Sequence, residues 1–336
     1  MPRIAINGLG RIGKLLLRHL HARGGLHDVV LLADAVGDAP MQAHLLEFDS
    51  VHGRWNVPIG NDGDALSIDG HGVPYRCAAA PAALPLDELG VQLVVDCTGA
   101  YRTGEALQPY FDAGVARVVV AAPVKSPGVA NLVYGINHDT FDPASHRIVT
   151  AASCTTNCLA PVVKVIHESI GIRHGSITTI HDVTNTQTIV DRPATDLRRA
   201  RSALNSLIPT TTGSATAITL IYPELAGRLN GHAVRVPLLN ASLTDCTFEL
   251  ERVTSAEEVN GLFEAAANGA LAGILGYETR PLVSADYVND SRSAIIDAPS
   301  TMVVNGTQLK VYAWYDNEWG YACRLGDVVR LVGGAT

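Results

Sequence analysis

Charge is scarce in this chain. Asp, Glu, Lys and Arg make up only 17% of its 336 residues, below the ~25% usual for soluble domains. Disorder needs many charges and few apolar residues, and an apolar content of 47% excludes it. Basic residues are outnumbered, 25 against 33, and the net charge is −8. A general nucleic-acid or membrane-surface binder would show a basic footprint, which is missing here. A local basic pocket for a small anion remains open. Long apolar runs are also missing: stretches such as Val118 to Val124 fall far short of a ~20-residue membrane span. No apolar stretch of signal type follows Arg3, so no secretory leader is expected. The six cysteines, at 77, 97, 154, 158, 246 and 323, are too scattered for a disulfide framework. None stands in Cys-x-x-Cys or Cys/His spacing, so no metal site is expected. These absences together point to a reducing, cytoplasmic setting. There is no internal repeat, no long linker and no low-complexity tract.

What the chain does have is alternation. Its length suggests about two domains at ~150 residues each. Arg3 to Asn7, Val29 to Ala33, Val91 to Cys97 and Val115 to Ala121 read as short strands, and Ile12 to Arg23 reads as a helix. Strands alternating with helical crossovers predict an α/β, doubly wound parallel sheet. Asn61 to Pro85, rich in Gly, Asp and Pro, has room for a β-hairpin. Near Ala151 the character changes. Ser176 to Val183 and Ala233 to Glu251 read as longer strands, and alternation from Cys246 onward suits an antiparallel sheet with one dry face. Ser255 to Glu258 is a capping box. Val259, Leu262, Phe263 and Ala266 follow at helical spacing, and Gly269 is placed to end that helix.

Gly8-Leu9-Gly10-Arg11-Ile12-Gly13 sits between the first strand and the first helix. Such glycines permit a tight turn and close approach of a pyrophosphate to a helix N-terminus. Asp34 ends the second strand, at the distance where the dinucleotide fingerprint expects an acid for the adenosine ribose. The alternative is an ordinary tight turn plus a capping Asp; the two features together favour dinucleotide binding over it. A carboxylate at Asp34 repels a 2′-phosphate, so NAD is expected over NADP.

Ser153-Cys154-Thr155-Thr156-Asn157-Cys158 runs into the apolar stretch Leu159 to Ile166. Polar caps there place Cys154 in a first helical turn, where free N–H groups and the helix dipole favour thiolate. Pro161 either kinks that helix or begins it. Cys158 lies one turn on, its Cβ ~5–6 Å away, too far for an unstrained disulfide. It reads as a packing residue, and an inert buried thiol is also the alternative for Cys154. His181 ends the strand from Ser176, and a thiolate beside an imidazole makes a nucleophile–base pair. Linear spacing does not show that the two meet. His19, His21, His27 and His44 read as surface or helix histidines.

Arg192, Arg198, Arg199 and Arg201 crowd one polar stretch; Thr210 to Gly213 follow, and Arg235 closes a later strand. Guanidinium and hydroxyl groups suit phosphate. A solvated loop, or ion pairs at a subunit contact, explains the cluster equally well.

Taken together, these segments resemble the phosphorylating glyceraldehyde-3-phosphate dehydrogenase family, from Arg3 to about Val332. Ala152 to Pro161 is the most specific match. Asn7 to Gly13, Asp49 to Arg54, Leu197 to Arg201, Pro223 to Leu225, Arg235 to Pro237 and Trp314 to Tyr321 also agree. The resemblance implies a Rossmann-type NAD-binding domain, 1–152 and 317–336, with an α+β catalytic domain of mostly antiparallel sheet, 153–316. It implies Cys154 as nucleophile and His181 as base. Gly8, Gly10, Arg11, Ile12, Gly13 and Asp34 would meet the cofactor's pyrophosphate and ribose, and Asn317 and Tyr321 its nicotinamide. Thr184 and Arg235 would bind the substrate's C3 phosphate. Ser153, Thr155, Arg199, Thr212 and Gly213 would bind the attacking phosphate. The family implies a glycolytic homotetramer working through a thioester, with no membrane and no dedicated nucleic-acid role.

Some positions depart from the family pattern. Asp182 and Val183 follow His181, where small or aromatic residues are more usual. The extra carboxylate either raises the imidazole pKa or points to the opposite strand face. Arg192 lies in the loop that approaches the cofactor ribose, which keeps NADP as an alternative. Leu86 stands where tryptophan is common and reads as a packing change. The run Asp182 to Thr188 resembles a subgroup found with arsenic-resistance genes, in which arsenate would replace phosphate and give 1-arseno-3-phosphoglycerate. The nearest rival, erythrose-4-phosphate dehydrogenase, typically lacks the threonine matching Thr184. A non-catalytic NAD-binding regulator is the rival of a different class.

Overall fold

The structure, a computed structural model, describes residues 2–336. The chain divides into two compact units, one running through Ser153 and resuming at Ala322–Thr336, the other Cys154–Tyr321. The carboxy-terminal division lies at Tyr321 rather than before Asn317 because the intervening residues are bound into the second unit. Asp316 accepts from the Asn289 N–H at 2.7 Å. A Cβ on Gly320 would lie 2.8 Å from the Arg292 carbonyl oxygen.

In the first unit the strands are β1 (Ile4–Asn7), β2 (Val29–Asp34), β3 (Ile59–Asp62), β4 (Ala65–Ile68), β5 (His71–Cys77), β6 (Leu93–Asp96), β7 (Arg117–Val120), β8 (Val129–Asn131) and β9 (Ile148–Thr150). Among the described residues they form one sheet in the order β3-β4-β5-β2-β1-β6-β7-β9-β8. From β5 to β8 every pairing is parallel. The central strands β1 and β6 are buried at every position, as a sheet covered on both faces requires. Helix α1 (Arg11–Ala22) buries Leu15, Leu16, Leu17 and Leu20. Helices α2 (Ala39–Glu47) and α3 (Gly104–Asp112) follow β2 and β6. The doubly wound expectation holds. The Gly/Asp/Pro-rich excursion is an antiparallel meander, β3 to β5. Asp69 and Gly70 form its second turn at φ +50° and +76°, as a two-residue hairpin loop needs. Leu86 lies in the core with Val91, Val94, Leu107 and Tyr110.

The first turn of α1 is tied down by charge. Arg11 Nη1 and Nη2 donate to Asp49 Oδ2 and Oδ1 at 2.6 and 3.0 Å. Burial alone would raise the Asp49 carboxyl, but Arg11 and the N–H groups of His52 and Val51 outweigh it and hold it at about 2. A depressed carboxyl contributes stability above its unfolded pKa and loses it as pH falls through the folded one. The shift corresponds to about 2 kcal/mol, lost between about pH 4 and pH 2. Arg11→Ala is expected to cost about 2 kcal/mol, less than a fully buried pair because Arg11 is 32% exposed. It should also move the acid-unfolding midpoint to higher pH, as followed by circular dichroism. An unchanged midpoint would remove this tie from the account.

The second unit starts with α4 (Cys154–Ser169) and β10 (Ile172–His181), then β11 (Ile208–Thr211), α5 (Ser214–Ile218), β12 (Leu229–Arg235), β13 (Ser242–Leu250) and α6 (Ala256–Asn268). It continues with β14 (Leu275–Glu278), β15 (Ala294–Asp297), β16 (Met302–Val304), β17 (Gln308–Tyr315) and the start of α7 (Trp319–Gly333). The sheet runs β11-β12-β10-β13-β17-β15-β14, with β16 on β17. It is mostly antiparallel; β10–β12 and β14–β15 are the parallel pairs.

One expectation needs correction. Ala233 to Glu251 is two strands, since β12 and β13 flank β10 on opposite sides. Between them Pro237 has no N–H for a ladder, and Ala241 turns the chain at φ +66°. β13 alternates buried and half-buried residues along its whole length. Ser255 caps α6 by accepting from the Glu258 N–H at 3.2 Å. Pro161 lies inside α4 and does not begin it. Cys158 is fully buried, its thiol 3.8 Å from the Ala313 carbonyl oxygen on β17.

Candidate active site

In the first unit the glycine turn has the shape of a phosphate cradle. Gly8 stands at φ +99°, and a Cβ there would sit 2.6 Å from the Cys97 carbonyl carbon. A Cβ on Gly13 would run into the Gly8 carbonyl oxygen, whereas Gly10 faces open space. The turn is therefore closed on the protein side and free where a ligand would approach. Asp34 braces it from the end of β2: its carboxylate accepts from the Leu9 N–H at 2.6 Å and the Val36 N–H at 3.0 Å. Each oxygen keeps accepting capacity for a hydroxyl. Lys14 Nζ donates to the Leu9 carbonyl and, at 2.7 Å, to Gln42 Oε1. Ile12, half-buried, lies in the first turn of α1. These residues fit a dinucleotide.

In the second unit Cys154 is the first residue of α4. Two residues earlier Ala152 adopts φ +52°, a left-handed conformation that alanine rarely takes. β10 ends at His181, and its Nε2 lies 3.6 Å from Cys154 Sγ. The nucleophile and base candidates therefore meet. Burial opposes a thiolate, but the His181 hydrogen bond and charge outweigh it, and the Cys154 thiol lies below its ordinary value. For His181, burial opposes the cation, while Asp182 and Cys154 outweigh it and push the imidazole up to about 9.

Two Asp182 oxygens approach His181 Nδ1, Oδ1 at 2.6 Å and the backbone carbonyl oxygen at 2.9 Å. Both only accept, which favours a proton on Nδ1. Arg235 Nη1, 2.7 Å from the same nitrogen, then donates to the Asp182 carbonyl oxygen at 2.9 Å. Arg235 Nε is buried and meets no partner among the described residues, which leaves a guanidinium donor unused. Asp182 is itself held: Ser242 Oγ lies 3.0 Å from Oδ1, and Asn317 Nδ2 donates to Oδ2 at 3.0 Å.

The other candidates are more dispersed. Thr155 is buried, its hydroxyl 3.0 Å from that of Tyr315, which lies 2.8 Å from the Thr179 hydroxyl. Thr184 is exposed, in a short turn with Thr186 and Gln187. Arg199 Nε donates to Thr210 Oγ1 at 3.0 Å, while Arg201 pairs with Asp191 on the surface. Arg199 also lies 3.5 Å from Asp196 Oδ2, so both arginines have an acidic partner. Thr212 contacts the Ser214 hydroxyl at 3.1 Å, and Gly213 beside it faces open space. Ser153 precedes Cys154 and is half-buried; Tyr321 is buried in the first turn of α7.

Comparison with known proteins decides the family. Residues 2–104 match the glyceraldehyde 3-phosphate dehydrogenase NAD binding domain, and residues 153–317 match its C-terminal domain. Glyceraldehyde-3-phosphate dehydrogenase 3 of Nostoc sp. is 58% identical over 98% of both chains. The Pseudomonas aeruginosa enzyme is 48% identical, over 97% of this chain and 96% of its own. That of Geobacillus stearothermophilus is 45% identical over 98% of both. The chain belongs to the glyceraldehyde-3-phosphate dehydrogenase family. NAD is the cofactor of its first unit, in keeping with the cradle around Gly10.

Three residues of this dehydrogenase's site were not singled out in its sequence: Tyr315, Thr179 and Ser242. Ser242 and Thr244 stand on the dry face of β13 with Cys246. A polar residue on the dry side of an alternating strand was the available signal.

Proposed function

We propose that this chain oxidises D-glyceraldehyde 3-phosphate to 1,3-bisphosphoglycerate in glycolysis, through a thioester on Cys154. The observation that carries the reading is the 3.6 Å contact between Cys154 Sγ and His181 Nε2 at the start of α4. The thiolate forms a C–S bond with the aldehyde carbon. The imidazolium Nε2–H gives its proton to the new oxyanion, yielding a hemithioacetal, and backbone N–H groups near Cys154 help stabilise that oxygen. The bound NAD supplies the hydride acceptor. His181 takes the hydroxyl proton back as the carbonyl re-forms, leaving a thioester. An oxygen of inorganic phosphate then attacks the acyl carbon, the C–S bond breaks, and the thiolate returns. Arg235 and Thr184 hold the C3 phosphate. Ser153, Thr155, Arg199, Thr212 and Gly213 form the site of the attacking phosphate. Gly8, Gly10, Gly13, Arg11 and Ile12 receive the pyrophosphate, Asp34 the ribose, and Asn317 and Tyr321 the nicotinamide.

Arsenate has the shape and charge of phosphate and enters the same site, giving 1-arseno-3-phosphoglycerate; the Asp182–Thr188 loop supports this second use. Exposed Ile189, Val190, Leu197, Leu204 and Leu207 form an apolar stretch suited to a subunit interface, and we read the assembly as a homotetramer. All six cysteines are free, and no described helix is long and apolar enough to cross a membrane; the reading places the protein in the cytoplasm.

The test is NADH formation from glyceraldehyde 3-phosphate in phosphate and in arsenate. Cys154-dependent turnover supports the reading, and a higher kcat/KM for arsenate would mark specialisation. Turnover with erythrose 4-phosphate alone would transfer the chain to the sister activity. NAD binding without any turnover would favour the regulator. For the cofactor, Asp34→Ala is expected to weaken NAD binding about tenfold, the worth of a charged hydrogen bond, and to narrow the preference over NADP. Equal dissociation constants for NAD before and after the change would remove Asp34 from the ribose site.

A further inference from the structure

Asp182 follows the strand that ends at His181, so strict alternation across a sheet no longer sets the direction of its side chain. Its carboxylate is 1% exposed and turns back beneath the imidazole, 2.6 Å from Nδ1. His181 Nδ1 lies against Oδ1, and Asn317 Nδ2 donates to Oδ2 at 3.0 Å; the Ser242 hydroxyl stands 3.0 Å from both Asp182 Oδ1 and Asn317 Oδ1 and ties the two side chains together. On the far edge of the ring Nε2 faces Cys154 Sγ at 3.6 Å. The sulfur, imidazole and carboxylate therefore stand in line, as in a nucleophile–base–orienter arrangement.

We propose that Asp182 is a positioning residue that extends the Cys154–His181 pair into a Cys154–His181–Asp182 triad, fixing the proton on Nδ1 and aiming Nε2 at the thiol. The inference rests on the cysteine–histidine reading above. The same carboxylate also anchors Asn317, so one buried anion orients both the base and the residue assigned to the nicotinamide.

The charges around the imidazole agree. Cys154 approaches from α4 and Arg235 from β12, while Tyr315 on β17 presents its ring at 6.0 Å in an edge arrangement. Arg235 opposes an imidazolium, and Asp182 and thiolate Cys154 favour it. Without Asp182 the ring would face Arg235 with no anion on its Nδ1 side. The imidazolium would weaken, the thiolate would lose its counter-ion, and the thiol would titrate at higher pH.

The test compares wild type, Asp182→Asn and Asp182→Ser, with Cys154→Ser as control. Rates of Cys154 alkylation by iodoacetamide are measured against pH, with kcat, NAD dissociation constant and Tm. The expected result for D182N is a kcat about 100-fold lower, within the range an oriented base is worth. The alkylation inflection should also move up by about one pH unit. D182S is read in the same way, so a folding defect in one variant leaves the other readable. Wild-type kcat and alkylation profile in a folded variant would overturn the triad. So would a lower kcat with an unmoved profile and weaker NAD binding, which would assign Asp182 to Asn317 alone. If C154S itself keeps turnover, the cysteine reading fails. If C154S is inactive and D182N behaves as wild type, only the triad fails.

Discussion

Replacing Cys154 by serine is expected to lower kcat by about 10,000-fold or more, the scale on which removal of a nucleophile is felt. Two steps suffer. The serine hydroxyl keeps its proton at neutral pH, whereas the Cys154 thiol lies below its ordinary value because His181 sits 3.6 Å away. The second loss is in acyl transfer. An alkoxide leaves the tetrahedral intermediate far less readily than a thiolate, so any ester formed would resist phosphate. The glycine turn around Gly8 and the Asp34 carboxylate are untouched, so NAD should bind as before. NADH formation reports the first quantity and calorimetric NAD titration the second. A serine variant with turnover within tenfold of wild type would sink the thioester route.

The second large effect is that of His181→Asn. Loss of a general base costs about 100- to 10,000-fold, and here one ring serves twice, as counter-ion of the thiolate and as proton carrier during hydride departure. The sign of the pH effect follows from the environment. In wild type the imidazole is pushed up to about 9 and the thiol down, so each partner favours the charged form of the other. Asparagine removes the cation but leaves the burial, which raises a thiol. Cys154 alkylation should therefore move to higher pH, and residual turnover should rise with pH throughout. Buried Asp182 would be left beside Arg235 with one donor fewer. The Tm is thus expected to fall, by an amount corresponding to about 1–3 kcal/mol. A variant with the wild-type pH profile would show that His181 is not the base.

Much of the site was legible in the sequence because its signals are local. Gly8 to Gly13 and Asp34 read as a turn and its acid because a strand, a tight turn and a helix follow one another within one crossover. Cys154 read as the start of a helix because its neighbours are caps. Local patterns were weaker where one residue serves two strands. Ala233 to Glu251 read as continuous because both halves are strand-like. The break at Pro237 became evident only when β12 and β13 took opposite sides of β10. The arginine cluster could not be divided by composition either. Arg199 and Arg201 differ only in the partners that the fold brings to them, Thr210 and Asp196 for one and Asp191 for the other.

By itself the sequence determined the α/β alternation, the dinucleotide turn and the family. Each follows from residues close in the chain, where periodicity, capping and turn chemistry act. The tertiary structure decided that Cys154 and His181 meet, that Asp182 turns under the imidazole, and that Ser242, Asn317 and Tyr315 surround them. Those contacts join α4, β10, β13, β17 and the turn after β17. Side-chain direction at the end of a strand depends on which neighbours fill the space around it, and no spacing rule along the chain carries that information.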